Sequence, residues 1–348
     1  MTTIKYQQFK VLSPGLFTTV QDNGRYGFQQ FGVPVTGVLD TFSAEIANFL
    51  VGNNKDAAVL EFTMTGPRLA IMDNGYVAIT GAQMGVKLNG QEIAAWSAFR
   101  VRPGDKLEIG QAKSGCRGYL AVTGGIEVPL VMGSRSCYIG AKIGGHKGRP
   151  LQAEDILARG VGRLLQEPRK IPDERLPEFS SDIVLRAIPG PQDDYFEEGL
   201  ETFFTSEYKV SLDANRMGYR LEGNVIKQKT GMPGSIVSEP SFGGGIQIPP
   251  SGQPIIILSE QTVGGYTKIA TIISSDLNLV AQASPGDHIC FERVNLETAY
   301  AAKKKQVQLT ADIKNIVELI DRAKKISSKN NSNQDSTLNR YRELYPGC

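Results

Sequence analysis

Histidine is nearly absent from this 348-residue chain, which carries two, His146 and His288. A histidine-rich metal centre is thereby excluded, no metal is expected, and a Ser-His-Asp or Cys-His nucleophile has few possible bases. Cysteine is also scarce. Cys116, Cys137, Cys290 and Cys348 are scattered without a CxxC pair, the pattern of buried thiols and one free terminal thiol in a reducing compartment. No apolar run approaches the roughly 20 residues that span a bilayer. The opening MTTIKYQQFKVLSPG lacks the hydrophobic core of an export signal. These features predict a cytoplasmic protein without a membrane partner. An excess of one charge is missing too: 38 Lys and Arg against 36 Asp and Glu leave a net charge of +2, which gives nucleic acid no footprint. The P-loop order GxxxxGK[ST] does not occur, so nucleotide hydrolysis by this chain alone is unsupported. Chemistry here must run mainly on Asp, Glu, Lys, Arg, Tyr and backbone groups.

Glycine, by contrast, is plentiful, and its densest segment runs from Thr18 to Asp40, TTVQDNGRYGFQQFGVPVTGVLD. Gly24, Gly27, Gly32 and Gly37, with Gly15 just before and Pro34 among them, surround Asp22, Asn23, Arg25 and Asp40. Glycine at that density is kept where backbone needs positive φ or close approach. The segment reads equally as a ligand wall or as a tight multi-turn connection at a barrel end.

Up to about residue 295 the chain consists of short apolar runs punctuated by glycine, such as YVAITGA (76–82), KLEIG (106–110), GYLAVTGG (118–125), IVLRAIPG (183–190) and PIIILSE (254–260). Such runs predict strands with tight turns. One helix is expected from Thr41 to Val51, with Asp40 as N-cap and Gly52 at its C-terminal end. QEPRKIPDERLPEFSS (166–181) carries three prolines among charges and is the linker candidate. Pro103-Gly104-Asp105 and Pro285-Gly286-Asp287 each precede a strand on either side of it, a weak repeat that favours two related β-rich units. The expected organisation is residues 1–165, a linker at 166–181, residues 182–295, and a terminal helix and disordered tail at 296–348. Ile313, Ile316, Val317, Leu319 and Ile320 form the apolar face of that helix.

Four further segments could carry chemistry. SEQTVGGYTK (259–268) follows a buried-looking strand and delivers Tyr266 and Lys268 to a rim, tyrosine as a donor and lysine as a point charge. NRMGYRLE (215–222) sets Arg216 and Arg220 four apart, suited to a carboxylate or to surface ion pairing. SFGGGIQIPPSG (241–252) places Gln247 after a glycine triplet, and GAKIGGHKGRP (140–150) is a basic glycine loop.

Together these segments resemble the biotin-dependent carboxyltransferase family, also called allophanate hydrolase subunit 2. That family includes the C-type subunits of 5-oxoprolinase, the Kip antagonist proteins and the carboxyltransferase part of urea carboxylase. The matching stretches include TTVQDNGRYGFQQFGVPVTGVLD, GGHKGRPL, GPQDDYF, NRMGYRLEG, GGGIQIPPSGQPIIIL, QTVGGYTKIA and PGDHICF, in order from about residue 11 to 294. The resemblance implies a mainly β protein with a few helices: two cyclophilin-like β-barrel subdomains, with a site in the cleft between them, plus the C-terminal helix. Asn215 stands where the family usually has Asp, and Thr267 where it has Pro.

The resemblance further implies the C-type subunit of a bacterial ATP-dependent 5-oxoprolinase. Its partners would be a B-type homologue of the allophanate hydrolase subunit 1 family and an A-type homologue. Its substrate would be a small cyclic amide or urea, with ATP used through the complex. Alternatives are the carboxyltransferase half of a urea carboxylase system, which would bring biotin, and a regulatory protein that binds the B-type homologue. On this reading Asp22, Tyr266 and Lys268 are the candidate catalytic residues. Arg25, Arg216, Tyr219, Gln247, Gln261 and Thr262 are the candidate substrate-binding residues.

Overall fold

The computed structural model describes residues 6–344, with side chains through Arg322. It is mainly β, with two barrel-like sheets and four helices among the described residues.

The first sheet has ten strands, every pair antiparallel. Its spine is the long pair Gly75–Leu88 and Lys106–Val122. Side chains alternate across a strand, and this spine divides its residues accordingly. Val77, Ile79, Leu120 and Val122 enter the sheet's inner core, whereas Tyr76, Ala78, Tyr119 and Ala121 face outward. The small alanines on the outer face leave room for helix α1 (Thr41–Leu50), which lays Ile46, Ala47 and Leu50 over them. Asp40 caps α1 as expected, accepting from the Ser43 N–H at 3.0 Å and the Ser43 hydroxyl at 2.6 Å.

The second sheet is a closed barrel of Asp182–Pro189, Thr267–Ile272, Gly245–Ile248, Ile255–Ile257, Gly218–Gly223, Glu207–Val210 and His288–Arg293. Closure is made by a parallel pairing of the first and last strands. Its core stacks Phe203 on Phe291 with ring centroids 4.4 Å apart, beside Tyr208, Leu185 and Ile289. Helix α2 (Glu197–Thr205) covers one end and helix α3 (Leu277–Gln282) points toward the first sheet.

The two Pro-Gly-Asp turns have the same local geometry. The Asp105 carboxylate accepts from the Arg102 N–H at 2.8 Å, and Asp287 accepts from the Ser284 N–H at 2.7 Å. Between the barrels, the proline-rich stretch is tied along the first sheet: the Ala98 N–H donates to Arg169 O and the Ile171 N–H to Trp96 O.

Helix α4 runs Leu296–Leu344, past the point where composition alone predicts a disordered tail. Of its expected apolar face, only Ile313 and Val317 are buried, packed against α1; Ile316 is half-buried and Leu319 and Ile320 are exposed. A helix crossing another makes a narrow contact, and residues i and i+4 fill it. Cys116 and Cys137 are buried free thiols and Cys290 is half-buried, while Cys348 lies outside the described residues. No described helix is long and apolar enough to cross a membrane.

Candidate functional site

The two barrels meet along a buried polar seam. Glu61, on the strand Val59–Thr63, is its hub. One carboxylate oxygen accepts from the Leu39 N–H and the Tyr119 hydroxyl, each at 2.9 Å. The other accepts from the Arg216 guanidinium, which crosses from the second barrel. Arg216 also donates to Glu260 at 2.6 Å and to Gly37 O at 2.5 Å. Burial opposes the arginine's charge, but Glu61 and Glu260 outweigh it and raise the pKa. Nearby, Arg117 donates to the Tyr219 hydroxyl and to Ala281 O. Gln282 donates to Asp40 at 2.7 Å and accepts from the Cys116 and Arg117 N–H groups. Burial pushes the Tyr219 phenol up to about 12, so it stays neutral.

The glycine-rich segment beside this seam is a wall with two layers. Gly24 and Gly37 have φ of 94° and 83°, and a side chain on either would strike backbone of the other's turn: a Cβ on Gly24 meets Val35 O at 2.7 Å, and one on Gly37 meets the Gly24 nitrogen at 2.9 Å. Both positions therefore require glycine. The inner layer is Asp22 and Arg25. The Asp22 carboxylate accepts from the Gly24 N–H, the Ser134 and Ser136 hydroxyls and the Arg135 N–H at 2.5–2.9 Å. Arg25 is buried and donates to the Thr36 hydroxyl at 2.7 Å and to Ser136 O; burial lowers its pKa, with Asp22 opposing. The outer layer, Val35 and Thr36, faces a cavity, and the Thr36 N–H donates across the barrels to Ser259 O at 3.0 Å.

That cavity, about 430 Å³, is the inter-barrel cleft. Asn23, Tyr26 and Thr36 line it from the first half, and Ser241, Phe242, Ser259 and Gln261 from the second. The Ser259 hydroxyl oxygen is buried and has no hydrogen-bond partner. A second cavity of about 170 Å³ shares Gln261 as a wall and is lined by Gln247, Tyr266, Asn215 and Arg220. Gln247 is buried, and its side-chain nitrogen, like the Ser259 hydroxyl, has no partner. A buried donor without a protein partner is one that a bound ligand can satisfy.

The predicted site residues thus divide. Gln247, Gln261 and Tyr266 come together around the smaller cavity. Asp22 and Arg25 stand one layer behind the cleft, and Arg216 and Tyr219 are bonded into the seam; none of the four is among the residues that line the two cavities. Lys268 is buried and donates to Glu239 at 2.7 Å, a bond that holds the Glu239 carboxyl below its ordinary range. The Thr262 carbonyl accepts from the Ser241 N–H, fixing the loop that carries Gln261. Asn215 caps its own turn, accepting from the Met217 N–H at 2.8 Å, a role that a carboxylate would fill equally. Thr267 has its hydroxyl bonded to Ile248 O at 3.3 Å and to Gln228 at 2.8 Å.

Sequence reasoning passed over Glu61, Glu260 and Lys303, the last of which also lines the larger cavity. Nothing in VLEF distinguishes Glu61 from a surface glutamate, whereas Ser259 and Glu260 adjoin the QTVGGYTK motif. The basic loop at 140–150 is a separate feature: His146, Lys147 and Arg149 converge on Asp155, at 3.1, 3.5 and 2.7 Å.

Two barrels joined by a buried seam, with a polar cleft between them, are the architecture of a two-subdomain carboxyltransferase unit. Residues 31–293 match the carboxyltransferase domain, subdomains A and B, and the chain belongs to that family. It is 37% identical over 312 residues to the C subunit of 5-oxoprolinase from Escherichia coli, covering 85% of this chain and 94% of that protein. The Haemophilus influenzae protein of the same name is 33% identical over 302 residues, covering 86% and 96%. The crystal structure of the K. lactis urea amidolyase superposes with a TM-score of 0.83 at 33% identity, over 89% of this chain but only 20% of that one.

Proposed function

We propose that this chain is the C-type subunit of a bacterial ATP-dependent 5-oxoprolinase, which opens 5-oxo-L-proline to L-glutamate with A- and B-type partners. The observation that carries this reading is the reach of the similarity. The chain aligns with nearly the whole of two proteins named as the C subunit of 5-oxoprolinase, at 94% and 96% of their lengths. The chemistry of the cavities agrees with a compact amide. In the reaction the lactam C–N bond breaks, one water gives its hydroxyl to the carbonyl carbon and its other hydrogen to the ring nitrogen, and the new carboxylic acid releases the proton that completes the ammonium; in the assembly a second water cleaves ATP to ADP and phosphate. Resonance makes that carbonyl unreactive, so a donor aimed at its oxygen stabilises the charge that develops there. The unpartnered Ser259 hydroxyl is such a donor on the cleft wall, and Gln247 and Gln261 are neutral amides suited to orienting another amide. The residues lining the cleft offer one cation and no carboxylate, a poor match to a magnesium-bound triphosphate, so ATP is assigned to the assembly.

The likeness to the K. lactis urea amidolyase supports a second reading, the carboxyltransferase half of a urea-carboxylating system. Under it the flat ureido ring of biotin would occupy the cleft beside Tyr26 and Phe242. One assay separates the two. The chain is mixed with its purified partners, and glutamate release from 5-oxo-L-proline and ATP is followed, with one component left out at a time. Release that needs every component and is untouched by avidin is the expected result. No release from the complete mixture sinks the first reading, and an avidin-sensitive, bicarbonate-dependent activity on urea establishes the second.

A further inference from the structure

Helix α4 begins beyond the matched residues 31–293, yet it reaches the cleft. Its first turns lie against the second barrel, where Gln306 donates to Ser275 O at 3.1 Å. Further along, it grips the first: Ile313 and Val317 are buried against α1, Lys314 pairs with Glu45, and Asp321 accepts from Arg169 at 2.9 Å. The helix therefore straps the two barrels together across the mouth of the cleft, and it places Lys303 on the cavity lining.

Lys303 is the one charged side chain among the residues that line the cleft. The carboxylates of the neighbouring seam are turned elsewhere: Asp40 onto Ser43 and Gln282, and Glu61 and Glu260 onto Arg216. Among the described residues Lys303 has no ion-pair partner; its ammonium donates to Gln306 Oε1 at 2.9 Å. Gln306 is itself held by Ser275. A lysine on an exposed helix ordinarily samples many rotamers; Lys303 is exposed, and the bond to Gln306, itself tied to the second barrel, narrows that choice at the cavity's edge.

We infer that Lys303 is a specificity-determining residue that binds the carboxylate of an anionic lactam in the inter-barrel cleft and so separates it from neutral amides and ureas. The inference rests on the 5-oxoprolinase reading and deepens it. 5-Oxo-L-proline carries a ring amide and an ionised carboxylate, and the cleft offers neutral donors for the first and a single cation for the second. Urea and the ureido ring carry no charge and have no use for that cation.

The test uses the complete reconstituted complex, with 5-oxo-L-proline as substrate and 2-pyrrolidinone, the same lactam without the carboxylate, as competitor. Lys303→Gln is expected to raise KM for 5-oxo-L-proline about tenfold, with kcat changed by no more than about twofold. The inhibition constant of 2-pyrrolidinone is expected to stay unchanged. Lys303→Arg should restore most of the affinity, and Lys305→Gln, a neighbouring charge not on the cleft lining, should behave as wild type. An unchanged KM in Lys303→Gln overturns the inference while leaving the 5-oxoprolinase reading intact. So does an equal loss of affinity for 2-pyrrolidinone, which would mark a general disturbance of the cleft. A wild-type complex that turns over no 5-oxo-L-proline overturns the reading, and the inference with it.

Discussion

At the scale of single residues, the contact that most constrains the smaller cavity is the missing side chain of Gly264. A Cβ there would lie 2.2 Å from the Gln247 side-chain nitrogen and 2.7 Å from that of Gln261. Both obstacles are ends of flexible amides, so Gly264→Ala should displace them without unfolding the barrel. Misplacing an orienting group by about 1 Å lowers rate by about a hundredfold. Gly264→Ala is therefore expected to lose about 10- to 100-fold in kcat/KM in the assembled complex while its melting temperature stays near wild type. A variant with full activity would remove the two amides from the site. These residues also show how far the sequence could be read. The motifs around Gln247, Gln261 and Tyr266 led to residues that share a cavity. Asp22 and Arg25 lie in an equally suggestive segment, but their side chains face inward, toward Ser134 and Ser136, which are more than a hundred positions away. Residue type was legible there, and side-chain direction was not.

At the scale of elements, the glycine-punctuated strands, the Asp40-capped helix and the paired Pro-Gly-Asp turns were legible because each is a local device. The burial of α4 was not, since five apolar residues on the helix compete for a contact that admits two. Ile313 is buried against α1, and truncating a buried isoleucine to alanine typically costs about 2–5 kcal/mol. Because most other side chains described on α4, over residues 296–322, are exposed or half-buried, Ile313→Ala is expected to loosen the helix rather than the barrels. Hydrogen exchange should accelerate over residues 296–322 and remain slow in the strands around Leu120 and Ile269. Uniform acceleration would mean that α4 is integral to the folding unit. The loop around Asp155 makes an element-scale prediction about pH. Burial disfavours its carboxylate, but the paired bonds from Arg149 at 2.7 Å and the Gln152 N–H prevail and hold its pKa well below the usual range. A folded-state pKa below the unfolded one gives stability that is present above the unfolded value, about 3.9, and is lost as pH falls toward the folded one. Urea midpoints measured from about pH 6 to about pH 3 should fall more steeply for wild type than for Asp155→Asn. Parallel curves would exclude Asp155 as a source of the acid sensitivity.

At the scale of the molecule, each barrel has a hydrophobic core of its own, and what couples them is the seam of Glu61, Arg216, Glu260, Arg117 and Tyr219. A buried ion pair is weak evidence for stability in itself, because desolvation offsets attraction, yet removing one member strands the other charge. Arg216 sits between carboxylates of both barrels, so Arg216→Ala strips Glu260 of its cation and leaves Glu61 only the more distant Arg117, 4.0 Å away. That substitution is expected to destabilise the protein by about 3–5 kcal/mol. Its manner of failure matters more than its size. With the tie gone and both cores intact, calorimetry should resolve two unfolding transitions where wild type shows one. The double variant Arg216→Met with Glu61→Gln removes both buried charges of the central pair. It is expected to recover part of the loss, because residues in one network are strongly non-additive. Thr36 and Ser259 meet beside this seam and both line the cleft, so the geometry of the cavity depends on how the barrels are held. A single transition in Arg216→Ala, shifted but not split, would show that α4 and the apolar contacts around Leu39 suffice to join the barrels, and that the ion network serves the shape of the cleft alone.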